Sequence, residues 1–281
     1  MSIMRTEISR GRKVQEAATS IRNEFQVDVS KIVDSKEYAL LQAKTHAFLV
    51  YEEGEYLDRF THIQTVTRYA RTAARVLGLN EDLVEAIATG CDLGGTPYGI
   101  IGEQLLSNEC PDGFSKNKQG HKIARKLNLT HETCEGILNN KPGGKHTTPE
   151  GELVQNVYQA VAYEWRIKEA LKTDRLSGED RVFINSLGKK RLETIVQDMV
   201  ERSQNGVAPP MKRFCEVGEF CKNSNRQNTL TIKYTERAKE ILSRLVERFK
   251  LQYEGKDIWQ GVFDYITGMT DLQAVEESEQ A

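Results

Sequence analysis

The chain has 281 residues, of which 38% are hydrophobic and 28% are charged, and its formal net charge is −2. This composition is typical of a globular protein with a sizeable core, and the near-zero charge excludes an overall basic field that would attract nucleic acid or anionic membranes. No run approaches the ~18 apolar residues of a membrane helix, so we expect no membrane partner, and the charged residues 1–23 lack the apolar segment of a signal peptide.

Cysteine usage indicates the compartment. The five cysteines are an odd number, are irregularly spaced and include no CxxC pair. This pattern favours reduced thiols over a disulfide framework and argues against a zinc site built from thiolates. We therefore expect a cytoplasmic protein.

The N-terminal half has a helical pattern with few alternating, strand-like runs. Residues 1–27 are predicted as an N-terminal helical extension. Residues 61–77 carry apolar side chains at helical spacing. A second helix begins after Asn80, a capping residue that is followed by acidic side chains. The glycine- and proline-rich residues 94–99 break this helix, and a short helix follows at residues 101–106.

The C-terminal half continues the helical pattern. Residues 139–146 are polar and rich in turn residues, which predicts a lid or linker. The remaining predicted elements are helices at 152–171, 187–202 and 235–253, a break at 204–210, irregular chain at 214–228, and short strand candidates at 229–233 and near 44–51. Together these patterns predict an all-α fold, with residues 176–273 as the C-terminal helical part of the same globular unit and a disordered tail at 274–281.

Two side chains of the N-terminal half suggest a metal site. His62 lies at the start of one predicted helix and Asp92 at the end of the next. An imidazole and a carboxylate are a suitable pair for a divalent metal, but a hydrolytic site needs three or four protein ligands and an open position for water. Alone, the pair is better explained by a helix start and a turn.

Four separated segments add to this pair, and together they resemble the bacterial dGTP triphosphohydrolase-like family of the HD-domain superfamily. They are residues 59–62, 77–103, 127–137 and 264–271. The resemblance spans about residues 28–271. It implies an HD-domain helical bundle over residues 28–175, with additional C-terminal helices.

The resemblance also implies a metal site of His, His-Asp and Asp, and this chain departs from it. His62 and Asp92 match the family, whereas Cys91 stands at the second histidine. Allowing one residue of slip, the last aspartate corresponds to Gln159 or Tyr158. We therefore expect His62, Cys91, Asp92 and Gln159 to be the remnants of the metal site.

The pocket implied by the resemblance is altered as well. Gly95, Ile100 and Lys116 stand where the family has histidines, and the isoleucine can neither donate nor accept a proton. Arginines that would clamp a triphosphate are replaced in residues 35–46. The retained or residual pocket positions are Lys44, Arg59, Glu103, Lys116 and Asn117.

Three functional hypotheses follow. The first is a catalytically inactive family member that acts as a nucleotide-sensing regulator or partner subunit, with a dNTP as ligand and assembly into a homo-oligomer or with a related subunit. The second is an active phosphohydrolase with a rearranged site, in which His46, His121 or His146 joins the metal ligands; only this hypothesis requires a divalent cofactor, Mn or Mg. The third is a nucleic-acid or protein interaction module that uses the basic residues 116–126.

Overall fold

The computed structural model describes residues 6–17, 20–47, 57–172, 176–225, 229–252 and 257–280, which are almost entirely helical. The helices are α1 (Glu24–Val33), α2 (Lys36–Ala39), α3 (Arg59–Leu77), α4 (Glu81–Gly90), α5 (Ile100–Glu109), α6 (Lys116–Lys126), α7 (His131–Asn139), α8 (Pro149–Lys172), α9 (Gly178–Ser186), α10 (Arg191–Arg202), α11 (Lys212–Asn225), α12 (Thr229–Gln252), α13 (Ile258–Thr267) and α14 (Asp271–Glu279). A 3₁₀ turn at Leu40–Ala43 precedes β1 (Thr45–Ala47), which pairs antiparallel with β2 (Leu57–Asp58). The predicted all-α fold is confirmed.

The helices that carry the candidate metal-site residues begin and end for local reasons. The side chain of Asp58 accepts a hydrogen bond from Thr61 N and caps α3, which ends at Gly78 in the left-handed conformation (φ 68°). Asn80 caps α4, as the sequence predicts, because its side-chain oxygen accepts from the amides of Asp82 and Leu83. The first cap fixes the start of α3, which buries His62, and α4 leads into the turn that buries Asp92.

Three clusters of buried side chains form the core. The first joins α3, α4, α8, α10 and α11, the second joins α5 to α12, α13 and α14, and the third lies among α1, α2, α6 and α7. The turn after α4 contributes Cys91 to the first cluster, Tyr98 to the second and Leu93 to the third. This turn is therefore the point at which the three parts of the core meet.

Several predicted elements differ from the structure. The described residues 6–17 and 20–23 are not helical, and a capping box between Asn23 and Gln26 starts α1. The strand candidate at 229–233 begins α12, because packing against α5 overrides the β-branched pattern. Helix α11 covers most of the chain predicted as irregular. Residues 274–279 are helical, because a second capping box at Thr270 starts α14. Residues 48–51 of the other strand candidate lie outside the described residues.

The N-terminal residues 6–17 form an extended strap that is held by buried carboxylates. Thr6 donates to Glu150 from its amide (2.9 Å) and its hydroxyl (2.8 Å). Arg10 donates to Glu132 at 2.7 Å from Nε, and Arg12 pairs with Asp28. The three carboxylates belong to α8, α7 and α1 and are 0 to 2% exposed, so the strap supplies polar and charged partners to buried acids on three helices.

In the part of the chain that the structure describes, no helix is both long and apolar enough to cross a membrane.

Candidate functional site

Asp92 lies in the turn after α4 and has no exposed surface. The turn packs tightly on α6, since a Cβ atom at Gly94 would come within 2.3 Å of Lys116 O and Gly120 N. Glycine at this position lets the two backbones touch. The close approach brings the first turn of α6, and with it the side chain of Lys116, to the carboxylate.

The carboxylate of Asp92 is held by a lysine and a tyrosine. The Lys116 ammonium donates to Oδ1 of Asp92, and the Tyr158 hydroxyl donates to the same oxygen at 2.9 Å. Lys116 Nζ also donates to the Tyr158 hydroxyl at 2.8 Å. The lysine side chain is 10% exposed and the aspartate side chain is 0% exposed, so the ion pair is shielded from water.

Arg59 supports the other side of the carboxylate. Its Nη1 lies 3.5 Å from Asp92 Oδ2, and its Nη2 donates to Glu103 Oε1 at 2.9 Å. The guanidinium occupies the space beside Gly95, where a Cβ atom would lie only 2.6 Å from the guanidinium carbon. Any larger residue at position 95 would therefore displace Arg59 from Asp92.

Two histidines stack at the same place. The rings of His46 and His62 are nearly parallel, with centroids 3.7 Å apart, and His46 Nδ1 lies 3.6 Å from Asp92 Oδ2. Both ring nitrogens of His62 are buried without a hydrogen-bond partner. Burial, with the neighbouring His46, holds the pKa of His62 well below its usual range, and burial also lowers the pKa of His46. Both rings are neutral at pH 7.

The charges of the cluster follow from its contacts. Burial alone raises the pKa of Asp92, but Lys116 and then Arg59 outweigh it and hold the pKa well below its usual range. Burial lowers the pKa of Lys116, yet Asp92 reverses this and raises it above the usual value. At neutral pH the carboxylate is ionised and both cations are charged.

The remaining predicted metal-site residues lie apart from the carboxylate. Cys91 donates its thiol to Ile87 O at 3.1 Å, and burial raises its pKa far above that of a free thiol. Gln159 donates to the Tyr163 hydroxyl at 3.0 Å. Of the two candidates on α8, Tyr158 is therefore the one that reaches Asp92.

These residues do not fit a divalent metal. The ammonium of Lys116 occupies Oδ1 of Asp92, and Arg59, 3.5 Å from Oδ2, adds a second positive charge that would repel a metal cation at the other oxygen. In-plane lone pairs of stacked, nearly parallel imidazoles do not converge on one ion. Among the described residues, no three His, Cys, Asp or Glu side chains are arranged to hold a metal ion.

A cavity of about 420 Å³ opens above the cluster. Its floor contains His46, Arg59, Lys116 and Tyr158, and its walls come from α5, α8, α11 and α12. Glu103 lines the cavity. Asn117 does not line it, because its amide donates to the carbonyls of Ile137 (3.0 Å) and Asn140 (2.9 Å) and holds the chain after α7. The sequence does not single out the wall residues contributed by α11 and α12.

Lys44 is fully buried beneath the cavity and has no carboxylate in contact. Its Nζ donates to Gly95 O at 2.9 Å and to Thr267 O at 2.6 Å. Burial, with a smaller contribution from Arg59, lowers the pKa of Lys44 to about 7. A neutral amine has two N–H donors, which matches the two carbonyls.

We expect a stability signature from Lys44 above neutral pH. Its folded pKa of about 7 lies below the unfolded value of 10.5, so the unfolded chain binds more protons between these values and stability rises with pH. Below pH 7 the buried Lys44 is protonated, and the protein bears the full free-energy cost of burying its charge. In Lys44→Met this rise, at most about 1.4 kcal/mol per pH unit, should be missing from urea unfolding curves measured between pH 7 and 10. The exposed Lys36→Met variant should keep it, and equal slopes in wild type and Lys44→Met would contradict the prediction.

Comparison with known proteins agrees with the resemblance seen in the sequence. No protein-family model matches the chain. The chain is 35% identical to a deoxyguanosinetriphosphate triphosphohydrolase-like protein of Caldanaerobacter subterraneus subsp. tengcongensis, over 95% of this chain and 87% of that protein. Proteins with the same description from Clostridium perfringens and Clostridium tetani are 31% and 28% identical over 93% and 95% of this chain, and 87% and 88% of their own lengths. The chain therefore belongs to the deoxyguanosinetriphosphate triphosphohydrolase-like family.

Proposed function

We propose that this chain is a catalytically inactive member of its family, which acts by binding a nucleotide as a regulator or as a partner subunit. The observation that carries the proposal is the Lys116 ammonium on the Asp92 carboxylate. In a metal-dependent hydrolase, the ion lowers the pKa of a bound water to produce the nucleophile. Here a fixed ammonium compensates the carboxylate charge and cannot coordinate water as a Lewis acid.

The groups that would move protons are also absent from the cavity or engaged elsewhere. Ile100 lies on the cavity wall, 45% exposed, where the family resemblance implies a histidine. Glu103 is paired with Arg59. The neutral histidine stack is buried against Tyr158, with 4.6 Å between the ring centroids of His62 and Tyr158. This set can hold an anion in place, but it offers no general acid beside a leaving group.

An active enzyme with a rearranged site is the second candidate. The position of His46 beside Asp92 and His62 favours it, because an additional histidine has moved to the carboxylate. The stacked rings of His46 and His62 and the two cations beside Asp92, Arg59 and Lys116, argue against an active site. Neither His121 nor His146 is among the described residues that line the cavity, and His146 pairs with Gln155 at 2.7 Å.

The nucleic-acid hypothesis has less support from the structure. The basic face of α6 is partly neutralised, since Lys122 and Lys126 lie 2.7 and 3.8 Å from the Asp264 carboxylate. A phosphate backbone would have to compete with that carboxylate. The cavity is therefore the better candidate for a ligand site.

Metal content and hydrolysis of the four dNTPs test the proposal together. After incubation with excess Mn²⁺ and desalting, we expect far less than one equivalent of bound metal and no release of nucleoside from any dNTP. Asp92→Asn is the matched control, because metal at this site would be lost in that variant and adventitious metal would not. Stoichiometric metal that Asp92→Asn abolishes, together with dNTP cleavage, would establish the active enzyme.

Nucleotide binding is tested separately by thermal shift. A ligand that binds only the folded state raises the melting temperature by mass action. We expect stabilisation by at least one nucleotide at millimolar concentration without added metal. An unchanged melting temperature with every nucleotide would contradict the proposed role as a nucleotide sensor.

A further inference from the structure

The cavity carries cations on three sides. Arg59 and Lys116 form the floor, Arg166 from α8 and Lys222 from α11 lie on one wall, and Lys239 from α12 lies on another. Glu103, Glu169 and Glu236 are the carboxylates among the lining residues. The lining therefore has five positive and three negative side chains. Asp92 beneath the floor offsets the charge of Lys116, so the remaining positive excess is small and favours an anion of low charge.

The floor retains a hydrogen-bond donor that is not used within the protein. Lys116 gives two of its three N–H groups to Asp92 and Tyr158. The third is available to the cavity that the lysine lines. Arg59 also lines the cavity and carries a second positive charge there. A phosphate oxygen is a suitable acceptor beside these two cations, because charge-assisted hydrogen bonds of this kind are the strong ones.

Apolar side chains occupy the upper part of the same cavity. Ile100 on α5 and Ile232 on α12 are 45% and 44% exposed, although both are large hydrophobic residues, and Ile101 and Ala162 line the space with them. Exposed apolar surface inside a cavity is typical of a ligand site. A ligand that matches the cavity has an apolar planar part and a compact anionic part.

We infer that this cavity binds a nucleoside monophosphate in the absence of a divalent metal, with its phosphate on Lys116 and Arg59 and its base between Ile100 and Ile232. The inference rests on the proposed function and specifies its ligand. A nucleoside monophosphate carries a charge of about −2 at pH 7, as other phosphate monoesters do. A triphosphate carries about −4 and is normally handled with a metal that neutralises part of this charge. The fixed ammonium of Lys116 replaces that metal for the smaller ligand.

The test is isothermal titration of the full chain with the four deoxynucleoside monophosphates and the four dNTPs, first in EDTA and then with Mn²⁺. We expect at least one monophosphate to bind in EDTA about tenfold or more tightly than its triphosphate, with no gain from Mn²⁺. Affinity should fall with added salt. Lys116→Met should weaken binding by about tenfold or more, the loss expected for one charged contact of about 1.4 kcal/mol.

A second variant protects the test from effects on folding. Lys239 is exposed on α12, so Lys239→Met should fold normally and still weaken monophosphate binding by a few fold. Lys190 lies outside the cavity with its side chain 81% exposed, and Lys190→Met is the matched control that should bind as wild type does.

The other outcomes separate this inference from the proposed function. Binding of a triphosphate that requires Mn²⁺, with no monophosphate binding, would overturn the inference and leave a nucleotide-binding protein. Monophosphate binding that neither Lys116→Met nor Lys239→Met changes would place the ligand outside the cavity and also overturn it. Absence of binding to any nucleotide, with or without metal, would overturn both.

Discussion

Replacing Lys116 with methionine is expected to lower the free energy of unfolding by about 3–5 kcal/mol, the usual cost of leaving one partner of a buried ion pair alone. Methionine keeps most of the length of the side chain but removes the ammonium. Asp92, with no exposed surface, would then keep Tyr158 at 2.9 Å and the more distant Arg59 at 3.5 Å and neutral His46 at 3.6 Å. Urea unfolding measures the change, provided that the slope with denaturant stays constant.

The control for this prediction lies on the same helix. Lys118 is exposed, so Lys118→Met should stay within about 0.5 kcal/mol of wild type. The double variant Asp92→Asn/Lys116→Met should be more stable than Lys116→Met, because it removes the stranded charge. Equal stability of Lys116→Met and Lys118→Met would show that the ion pair does not support the fold.

The loss of stability caused by Lys116→Met should also depend on pH. The pKa of Asp92 is depressed in the folded protein, mainly by Lys116 and Arg59 acting against burial. Such a carboxylate contributes its full stability above its unfolded pKa of about 4 and loses it as pH falls through the lower folded value. The stability difference between wild type and Lys116→Met should therefore be constant near neutral pH and shrink in strong acid.

Arg12→Met is expected to destabilise the protein by a similar amount, about 3–5 kcal/mol, although Arg12 lies in the N-terminal strap and not in a helix. The Arg12 side chain is 5% exposed and pairs with Asp28, which is fully buried. It also donates to the carbonyls of Asn128 (2.8 Å) and Glu24 (2.7 Å). Removal of the guanidinium leaves these acceptors and a buried carboxylate without their cation.

The neighbouring residue provides the control for the strap. Lys13 is exposed, and Lys13→Met should leave the urea midpoint nearly unchanged. Asp28 keeps two hydrogen bonds from Thr130, at 3.0 Å from the amide and 2.6 Å from the hydroxyl. If these two bonds were enough to stabilise the buried Asp28 carboxylate, Arg12→Met would have the same urea midpoint as Lys13→Met. That result would show that the strap contributes little to stability.

The two predictions concern residues whose roles can be inferred from the sequence to very different degrees. Lys116 falls within a motif of the family, so the loss of a histidine there is visible from the resemblance. Its ion pair with Asp92 is not visible, because the two residues meet only through the contact of the turn at Gly94 with α6. Arg12 belongs to a segment predicted as helical, and its role depends on the buried Asp28 of α1 and on the carbonyl of Asn128, which is distant along the chain.

Within the candidate site, too, the sequence does not decide which side chains are in contact. Family resemblance assigns the last metal position to Gln159 or Tyr158, and a shift of one residue on a helix turns a side chain by about 100°. Only the packing of α8 places Tyr158 on Asp92 and Gln159 on Tyr163. Similarly, Gly95 reads as a lost histidine in the sequence, whereas in the fold it makes room for Arg59.

Local pattern and resemblance were sufficient for the all-α fold, the cap at Asn80 and the family, because helical periodicity, capping and motif order are properties of the chain itself. The tertiary structure alone decided which side chains surround the Asp92 carboxylate. Lys116, Tyr158 and Arg59 come from three helices and converge on one buried carboxylate. That convergence depends on backbone contacts between distant segments and on burial, which strengthens each charge interaction by excluding water, and neither is encoded in any short stretch of sequence.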